Sequence, residues 1–235
     1  MCFSATANFA GSAVLGGIGI ATLTEVRHPR QFLFAAMPLL FAVHQLLEGF
    51  VWLGLHNTLS APALKAAAGA YVLYAQGVLP FLLPFSVLLI EPTVHRRRRM
   101  WGFCLLGAGL ALYLTWGLIV YPLNVSERHH SIIYFNQVTT TDSIAVLYVI
   151  ATCGALFFSG FRDLVVLGAA NLFGLLVVMV VMRYAFTSMW CAYAAIVSVL
   201  IYFHFRRSRF MPLRYQHVAK SKTGTNACPT PAVNH

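Results

Sequence analysis

Seven apolar stretches constrain the fold of this chain more than any other feature of its sequence. A helix that crosses a bilayer needs about 20 mostly apolar residues. Helices satisfy their own backbone polar groups in hydrocarbon, and the stretches lack the strict alternation of barrel strands. The sequence therefore predicts an all-α, polytopic membrane protein with a bundle of seven transmembrane helices. The predicted spans are Phe9–Thr24, Phe32–Leu55, Ala67–Ile90, Trp101–Tyr121, Ile144–Gly160, Leu164–Met182 and Met189–Phe205.

The amino-acid composition excludes a water-soluble globule. Charged residues make up 9% of the chain and hydrophobic residues 59%, whereas soluble domains carry roughly 25% charged residues. The formal net charge of +10 does not indicate a nucleic-acid partner, because the basic residues lie between apolar stretches and in a short tail. Such placement is typical of membrane topology and of contact with anionic lipid headgroups. We therefore expect membrane lipids as partners, with anionic headgroups at the cytoplasmic face.

The distribution of Lys and Arg predicts the orientation of the chain. One set of loops, with the C-terminal tail, holds most of the 16 Lys and Arg residues, including the run Arg96 to Arg99. The opposite set holds only Lys65, Arg128 and Arg183. Because basic loops stay in the cytoplasm, we expect the N-terminus outside and the C-terminus inside. The predicted domains are a transmembrane domain, 1–205, with an outer loop at 122–142, and a basic, disordered cytoplasmic tail, 206–235.

One carboxylate, Glu48, lies clearly within a predicted span. An ionisable group in hydrocarbon is costly, so it requires partners and marks a candidate functional site. His44 lies four residues earlier on the same helical face, and Gln45 is beside it. The predicted orientation places these residues in the outer half of the bilayer. Arg183 is the cation expected to pair with Glu48. Other candidates at a similar depth are Tyr71, Tyr74, Gln76, Trp190 and Cys191.

These residues predict an outward-facing polar pocket, for which three functions stay open. In the first, the pocket binds a small molecule or a metal in a binding or sensory protein. In the second, the protein is an intramembrane, metal-dependent lipid hydrolase with Glu48 as base or ligand, because His44 and Glu48 suit zinc or another divalent metal. In the third, Glu48 lies in the pathway of a transporter or channel. Further metal ligands would come from Cys2, His129, His130 or Cys191. A polar cluster that only joins helices is the structural alternative.

Four short motifs are distinctive. They are Met1-Cys2-Phe3-Ser4-Ala5, Pro38-Leu39-Leu40-Phe41-Ala42, Gln45-x-x-Glu48-Gly49-x-x-Trp52 and Trp190-Cys191-x-x-Ala194-Ala195. Together they resemble a family of uncharacterised bacterial multi-pass membrane proteins that begin Met-Cys-Phe-Ser-Ala. The resemblance extends from the first to the seventh span and implies a bacterial inner membrane protein, without implying an activity.

A more distant resemblance is to the seven-span hydrolases that include the alkaline ceramidases, which hold an intramembrane zinc with three histidines. The seventh predicted span lacks the HxxxH pair of those enzymes, and His204 stands alone at its cytoplasmic end. No zinc ligand is therefore transferred from that family. The same span has no lysine for a retinal Schiff base, which argues against a rhodopsin.

Overall fold

The computed structural model describes residues 4–128, 131–138, 142–181 and 186–209, without the side chains of residues 142, 177–181, 186–193, 208 and 209. Most of this part of the chain is helical. The first half forms α1 (Ala5–Leu23), α2 (Phe32–Ala35), α3 (Met37–Leu55), α4 (Ala61–Val72), α5 (Leu79–Ile90) and α6 (Val94–Val120), with a short 3-10 helix at Pro29–Gln31 and a π-helical segment at Leu73–Val78. The second half forms β1 (Asn124–Arg128), β2 (Ser131–Phe135), α7 (Asp142–Phe157), α8 (Arg162–Val181) and α9 (Phe186–Arg209).

Helices occupy each of the seven predicted apolar stretches, with ends shifted by up to seven residues. Four helical segments in the described part of the chain are long and apolar enough to cross a membrane. A fifth apolar helix, at Ser143–Phe157, is shorter. This pattern is typical of a membrane-embedded protein. The four segments are Ala5–Leu23, Pro29–Leu55, Ala61–Ile90 and Val94–Val120.

A small antiparallel sheet shows that the all-α prediction was wrong for the segment 122–142. β1 pairs with β2, with Asn124 opposite Phe135 and Arg128 opposite Ser131. Tyr134 is buried and Phe135 is half exposed, whereas most of β1 is exposed. One face of β2 therefore packs against the helices. Five-residue strands fall below the length of the apolar windows that predict spanning helices, so the hairpin escaped prediction.

Two prolines coincide with interruptions of the long helices. Pro38 has no N–H to donate to the carbonyl of Phe34, four residues back, and the helix is divided at Ala36 into α2 and α3. Pro80 likewise cannot donate to the carbonyl of Gln76, and the preceding residues form the π-helical segment. Such segments are frequent at functional sites.

Glycines allow three close helix contacts. A Cβ atom on Gly19 would lie 2.7 Å from the backbone nitrogen of Leu39, and one on Gly49 would lie 2.6 Å from the ring of Phe9. These two positions bring α1 against α3. A Cβ atom on Gly107 would collide with the main-chain carbonyl of Pro80, so the backbones of α5 and α6 approach closely there.

Charged and polar contacts define one end of the bundle, which we call the basic end. Arg96, near the start of α6, donates to the carbonyls of Phe158 and Ser159 after α7, at 3.4 and 3.0 Å. His204, near the end of α9, lies 3.3 Å from a carboxylate oxygen of Asp163 at the start of α8. The corners between α5 and α6 and between α7 and α8 therefore meet the end of α9 here.

The opposite end, which we call the hairpin end, contains the turn between α3 and α4, the end of α6 and the two strands. Asn136 follows β2 and donates to the carbonyls of Gly117 and Tyr121 at 3.3 Å each, which fixes the base of the hairpin on α6. The imidazole of His56 lies 3.4 Å from the carboxylate of Glu127 in β1. The hairpin thus extends from α6 towards α3 and α4.

Two apolar clusters form the core. The larger cluster extends from the basic end to the middle of the bundle, and its fully buried members include Leu15, Phe34, Met37, Val87 and Ile201. The smaller cluster lies at the hairpin end and joins α3 and α4 to β2. Its buried members are Val51, Trp52, Ala68, Tyr71, Val72, Ile132 and Tyr134.

Candidate functional site

One face of α3 carries four polar side chains into the interior of the bundle. His44, Gln45, Glu48 and Trp52 are each at most 3% exposed. Residues three, four and seven positions apart share a helical face, so Gln45, Glu48 and Trp52 form a row with His44 at its edge. Helix α3 therefore provides a buried acid, an imidazole, an amide and an indole at the hairpin end of its length.

Tyr71 of α4 contacts both ionisable members of this row. Its hydroxyl donates to a carboxylate oxygen of Glu48 at 3.3 Å. His44 Nε2 lies 3.2 Å from the main-chain carbonyl oxygen of Tyr71. A carbonyl oxygen only accepts, so Nε2 carries the hydrogen and Nδ1 is the accepting nitrogen of His44. The ring centroids of His44 and Tyr71 lie 3.9 Å apart with the planes inclined by 10°.

The aromatic contacts continue on both sides of this pair. The ring of Tyr134 in β2 stacks on Tyr71 with centroids 4.6 Å apart and planes inclined by 19°. The ring of Tyr74, in the π-helical segment, lies 5.0 Å from His44. The hairpin, α4, the π-helical segment and α3 therefore meet at one group of side chains. We call His44, Gln45, Glu48, Trp52, Tyr71 and Tyr74 the polar cluster.

Several buried polar atoms at this level have no hydrogen-bond partner in the part of the chain that the structure describes. They include both the nitrogen and the oxygen of the Gln45 carboxamide, the indole nitrogen of Trp52 and the hydroxyl of Tyr74. Asn8 of α1 adds a buried carboxamide oxygen, and it lies at the same level because the neighbouring Phe9 packs against Gly49. Buried polar groups are nearly always hydrogen-bonded, so such a group of atoms indicates a water, ion or ligand site.

The structure brings together four of the predicted site residues, His44, Glu48, Tyr71 and Tyr74, by direct contact. Gln45 is buried on the same helix, and Gln76 is half-buried in the π-helical segment. Arg183 lies outside the described residues, as do Cys2, His129 and His130. Trp190 and Cys191 belong to α9, which contacts α1, α3 and β2, but their side chains are not described.

The predicted metal site at His44 and Glu48 can be compared with the neighbouring donors. No group of three or more His, Cys, Asp or Glu side chains is placed to hold a metal ion within the described ranges. A metal on His44 would have to take Nδ1, because Nε2 is engaged with the carbonyl of Tyr71. The described surroundings of the pair are aromatic and amide groups, which are poor ligands for zinc.

Sequence reasoning missed three residues of this site. Trp52 lies seven residues after Gln45 and four after Glu48, and this spacing on one helical face is the signal that could have found it. Tyr134 lies in the predicted outer loop, where the run of β-branched and aromatic residues in Ser131–Phe135 is the signal for a strand. Asn8 gave no signal, since it precedes the first predicted span.

A second buried carboxylate, Glu91, was also missed. It is 2% exposed, and one oxygen accepts from the Gly160 amide at 2.8 Å and from the Ser159 hydroxyl at 3.4 Å. Its other oxygen accepts from the Thr93 amide at 3.3 Å. Glu91 thereby ties the α5–α6 corner to the α7–α8 corner, and all its described partners are backbone or hydroxyl donors. This arrangement is structural.

A small cavity lies between the polar cluster and the basic end. Asn171 is 4% exposed there, and its amide nitrogen lies 3.1 Å from the sulfur of Cys153. The cavity has room for about one water molecule, and no predicted site residue is in its described lining. The lining residues are Phe41, Leu79, Leu83, Thr152, Leu156, Leu167, Asn171, Ala194, Val197 and Ile201.

Comparison with known proteins places the chain in a family without supplying an activity. No curated protein and no solved structure matches it, so nothing there supports the resemblance to alkaline ceramidases. A family model described as "Family of unknown function (DUF6629)" matches residues 1–216. The match includes every helix and strand in the described part of the chain, and it agrees with the resemblance to an uncharacterised family. The chain therefore belongs to this family of unknown function, DUF6629.

Proposed function

We propose that the polar cluster binds a small polar molecule, and that the protein is a membrane-embedded binding or sensory protein. The observation that carries this proposal is the carboxamide of Gln45. The side chain is fully buried, and neither its nitrogen nor its oxygen has a partner in the described residues. A buried amide without hydrogen bonds costs on the order of 1–3 kcal/mol. An occupant with both donors and acceptors would remove that cost.

The neighbours of Gln45 support a polar occupant of mixed character. The indole nitrogen of Trp52 and the hydroxyl of Tyr74 supply further hydrogen-bond donors, and the Oδ1 atom of Asn8 supplies an acceptor. Glu48 and His44 are held in place by Tyr71 and contribute a carboxylate and an accepting ring nitrogen. Aromatic walls with a few convergent polar groups are typical of small-molecule sites.

A small molecule fits these surroundings better than a metal ion does. The atoms without described partners include the N–H groups of Gln45 and Trp52 as well as oxygens. A metal ion binds acceptors alone and would leave these N–H groups unsatisfied, and His44 already uses Nε2 to bind a main-chain carbonyl. The lipid hydrolase and the transporter remain alternatives predicted from Glu48. A hydrolase would need additional metal ligands, and a transporter would need a pathway past the apolar lining near Asn171.

We also propose the finer topology, with seven spans, the N-terminus outside and the C-terminus in the cytoplasm of a bacterial inner membrane. The contacts of Arg96 and Asp163 support it, because they bring loops that were predicted as cytoplasmic to the same end of the bundle. Exposed arginines at this basic end, including Arg98 and Arg99, would contact anionic headgroups.

Native mass spectrometry of the purified protein tests the proposed binding function. We expect wild-type protein to retain a non-covalent small molecule that survives detergent exchange, and Gln45→Leu to lose it. Gln137→Leu is the matched control, because it makes the same change at an exposed position and should keep the molecule.

The unfolding free energy of Gln45→Leu distinguishes an occupied cluster from an empty one. If the cluster holds no molecule, Gln45→Leu replaces an unsatisfied amide by an apolar group of similar size and should stabilise the protein. A more stable Gln45→Leu variant, together with wild-type protein free of any bound mass, would show that the cluster only joins helices.

A further inference from the structure

We propose that Tyr148 of α7 is a positioning residue of the polar cluster, whose hydroxyl replaces the main-chain donor that Pro80 lacks and so holds Tyr74 beside His44. This inference rests on the proposed function, because it concerns the placement of a side chain in the same site. It assigns a role to α7, which contributes no member of the polar cluster.

The π-helical segment at Leu73–Val78 determines which carbonyl Pro80 leaves without a donor. Hydrogen bonds in a π-helix join residues five positions apart, and in this register the amide of Leu79 donates to the carbonyl of Tyr74. The next donor in the series would be the amide of residue 80, and its acceptor would be the carbonyl of Ala75. Proline has no N–H, so the segment cannot satisfy that carbonyl by continuing its own pattern.

Tyr148 supplies the missing donor from another helix. Its hydroxyl donates to the carbonyl oxygen of Ala75 at 2.7 Å, a typical distance for a well-formed O–H···O hydrogen bond. Ala75 is 8% exposed, and an unpaired carbonyl is costly in hydrocarbon, where neighbouring helices satisfy the backbone groups that a proline frees. The bond therefore fixes the main chain of Ala75 relative to α7.

Ala75 directly follows Tyr74, which is the member of the polar cluster in this segment. The ring of Tyr74 lies 5.0 Å from the ring of His44, and its buried hydroxyl has no hydrogen-bond partner in the described residues. Only the two backbone torsions of Ala75 separate the held carbonyl from the peptide bond to Tyr74. The bond from Tyr148 thereby restricts the positions that the Tyr74 side chain can take in the site.

The π-helical segment also packs closely on α6. A Cβ atom on Gly77 would lie 2.5 Å from the hydroxyl oxygen of Thr115, so the backbone of the segment approaches α6 there. Removing the hydroxyl of Tyr148 would leave this packing in place and take away the directed bond. A single oxygen atom can therefore be tested without disturbing the rest of the bundle.

A double-variant experiment, read by hydrogen–deuterium exchange, tests the assignment. Tyr148→Phe keeps the ring, and we expect the amides of residues 77–79 to exchange about three- to tenfold faster, because the carbonyl of Ala75 loses its bond. Pro80→Ala restores an N–H at position 80. Adding it to Tyr148→Phe should bring the exchange to within about twofold of that in Pro80→Ala alone. A tyrosine that acted only through packing would show no such rescue.

The matched control is Tyr113→Phe, because Tyr113 is 43% exposed and its loss of a hydroxyl should leave these rates within about twofold of wild type. Unchanged exchange in Tyr148→Phe, or equal acceleration with and without Pro80→Ala, would overturn the role of Tyr148. If Tyr148→Phe alone does not fold, the double variant should fold, and its failure to do so would overturn the role as well.

Native mass spectrometry of the same variants separates this inference from the proposed function. We expect Tyr148→Phe to retain at least about twofold less of the molecule bound by wild type, and Pro80→Ala to restore it. Rescued exchange in protein that holds no bound mass would contradict the binding function and leave the placement of Tyr74 by Tyr148. Full retention of a bound molecule by Tyr148→Phe would overturn the positioning role and leave the binding function.

Discussion

His44 and Tyr71 are joined twice, through ring stacking with centroids 3.9 Å apart and through the 3.2 Å contact from His44 Nε2 to the Tyr71 carbonyl oxygen. The two residues lie on different helices, so this double contact fixes both the ring plane and the tautomer of His44. The same tyrosine also reaches Glu48 through its hydroxyl. Tyr71 is therefore the residue on which the geometry of the polar cluster depends most.

We expect Tyr71→Phe to lower the free energy of unfolding by about 1–3 kcal/mol, because a buried carboxylate loses a hydrogen bond while the ring stack is retained. Denaturant unfolding in detergent, followed by circular dichroism, measures this change. Tyr113→Phe is the control, since Tyr113 is 43% exposed. Equal stability of the two variants would contradict a stabilising role for the bond to Glu48.

Glu91→Gln should destabilise the protein by about 1–3 kcal/mol. The substitution keeps the shape of the side chain but places an amide group where the Gly160 and Thr93 amides need acceptors. Glu127→Gln makes the same chemical change in an exposed pair with His56, where we expect less than about 1 kcal/mol. Comparable losses of unfolding free energy in the two variants would show that the buried hydrogen bonds of Glu91 stabilise the protein no more than the surface pair does.

Gly107→Ala should push α5 and α6 apart, because its Cβ atom would meet the main-chain carbonyl of Pro80. We expect a loss of about 1–3 kcal/mol in unfolding free energy. Gly109→Ala, two residues along the same helix, meets no atom within 4 Å. It should be neutral or stabilise by up to about 1 kcal/mol, since alanine favours a helix. The melting temperatures of both variants, compared with wild type, measure these effects. An unchanged melting temperature in Gly107→Ala would contradict the close contact between α5 and α6.

The proposed topology predicts opposite labelling at the two ends of the bundle. Ser60→Cys, in the turn before α4, should react with a membrane-impermeant thiol reagent added to intact spheroplasts. Pro92→Cys, between α5 and α6, should react only after the membrane is permeabilised. Both residues are exposed in the structure, so neither result depends on burial. Reaction at both positions, or the reverse pattern, would contradict the assigned orientation.

The helices were predictable because each apolar stretch is long enough to form one, and the helix ends differ from those of the stretches by at most seven residues. The site was predictable in part. The four-residue spacing of His44 and Glu48 indicates a shared face, whereas nothing in the sequence shows that Tyr71 stacks on one and binds the other. That pairing depends on how α3 and α4 pack.

The site residues that the sequence did not predict have two features in common. Their contact partners are distant in sequence, or they lie on short strands. Glu91 follows an apolar stretch and precedes a run of basic residues, so its sequence position indicates an exposed loop. It is nevertheless buried, because Ser159 and Gly160 supply its hydrogen bonds. Tyr134 lies on a five-residue strand, which a window suited to spanning helices cannot detect. Such contacts emerge only when separate segments meet in three dimensions.

The π-helical segment at Leu73–Val78 holds one residue more than the α-helical turn that it replaces, because its hydrogen bonds join residues five positions apart. The widened turn absorbs that residue, while Tyr71 upstream contacts Glu48 and Pro80 downstream meets Gly107. Removing one residue from the segment would restore an ordinary α-helix and leave the orientation of both flanking parts nearly unchanged. A relative that is one residue shorter here could therefore keep both the aromatic stack and the seam between α5 and α6.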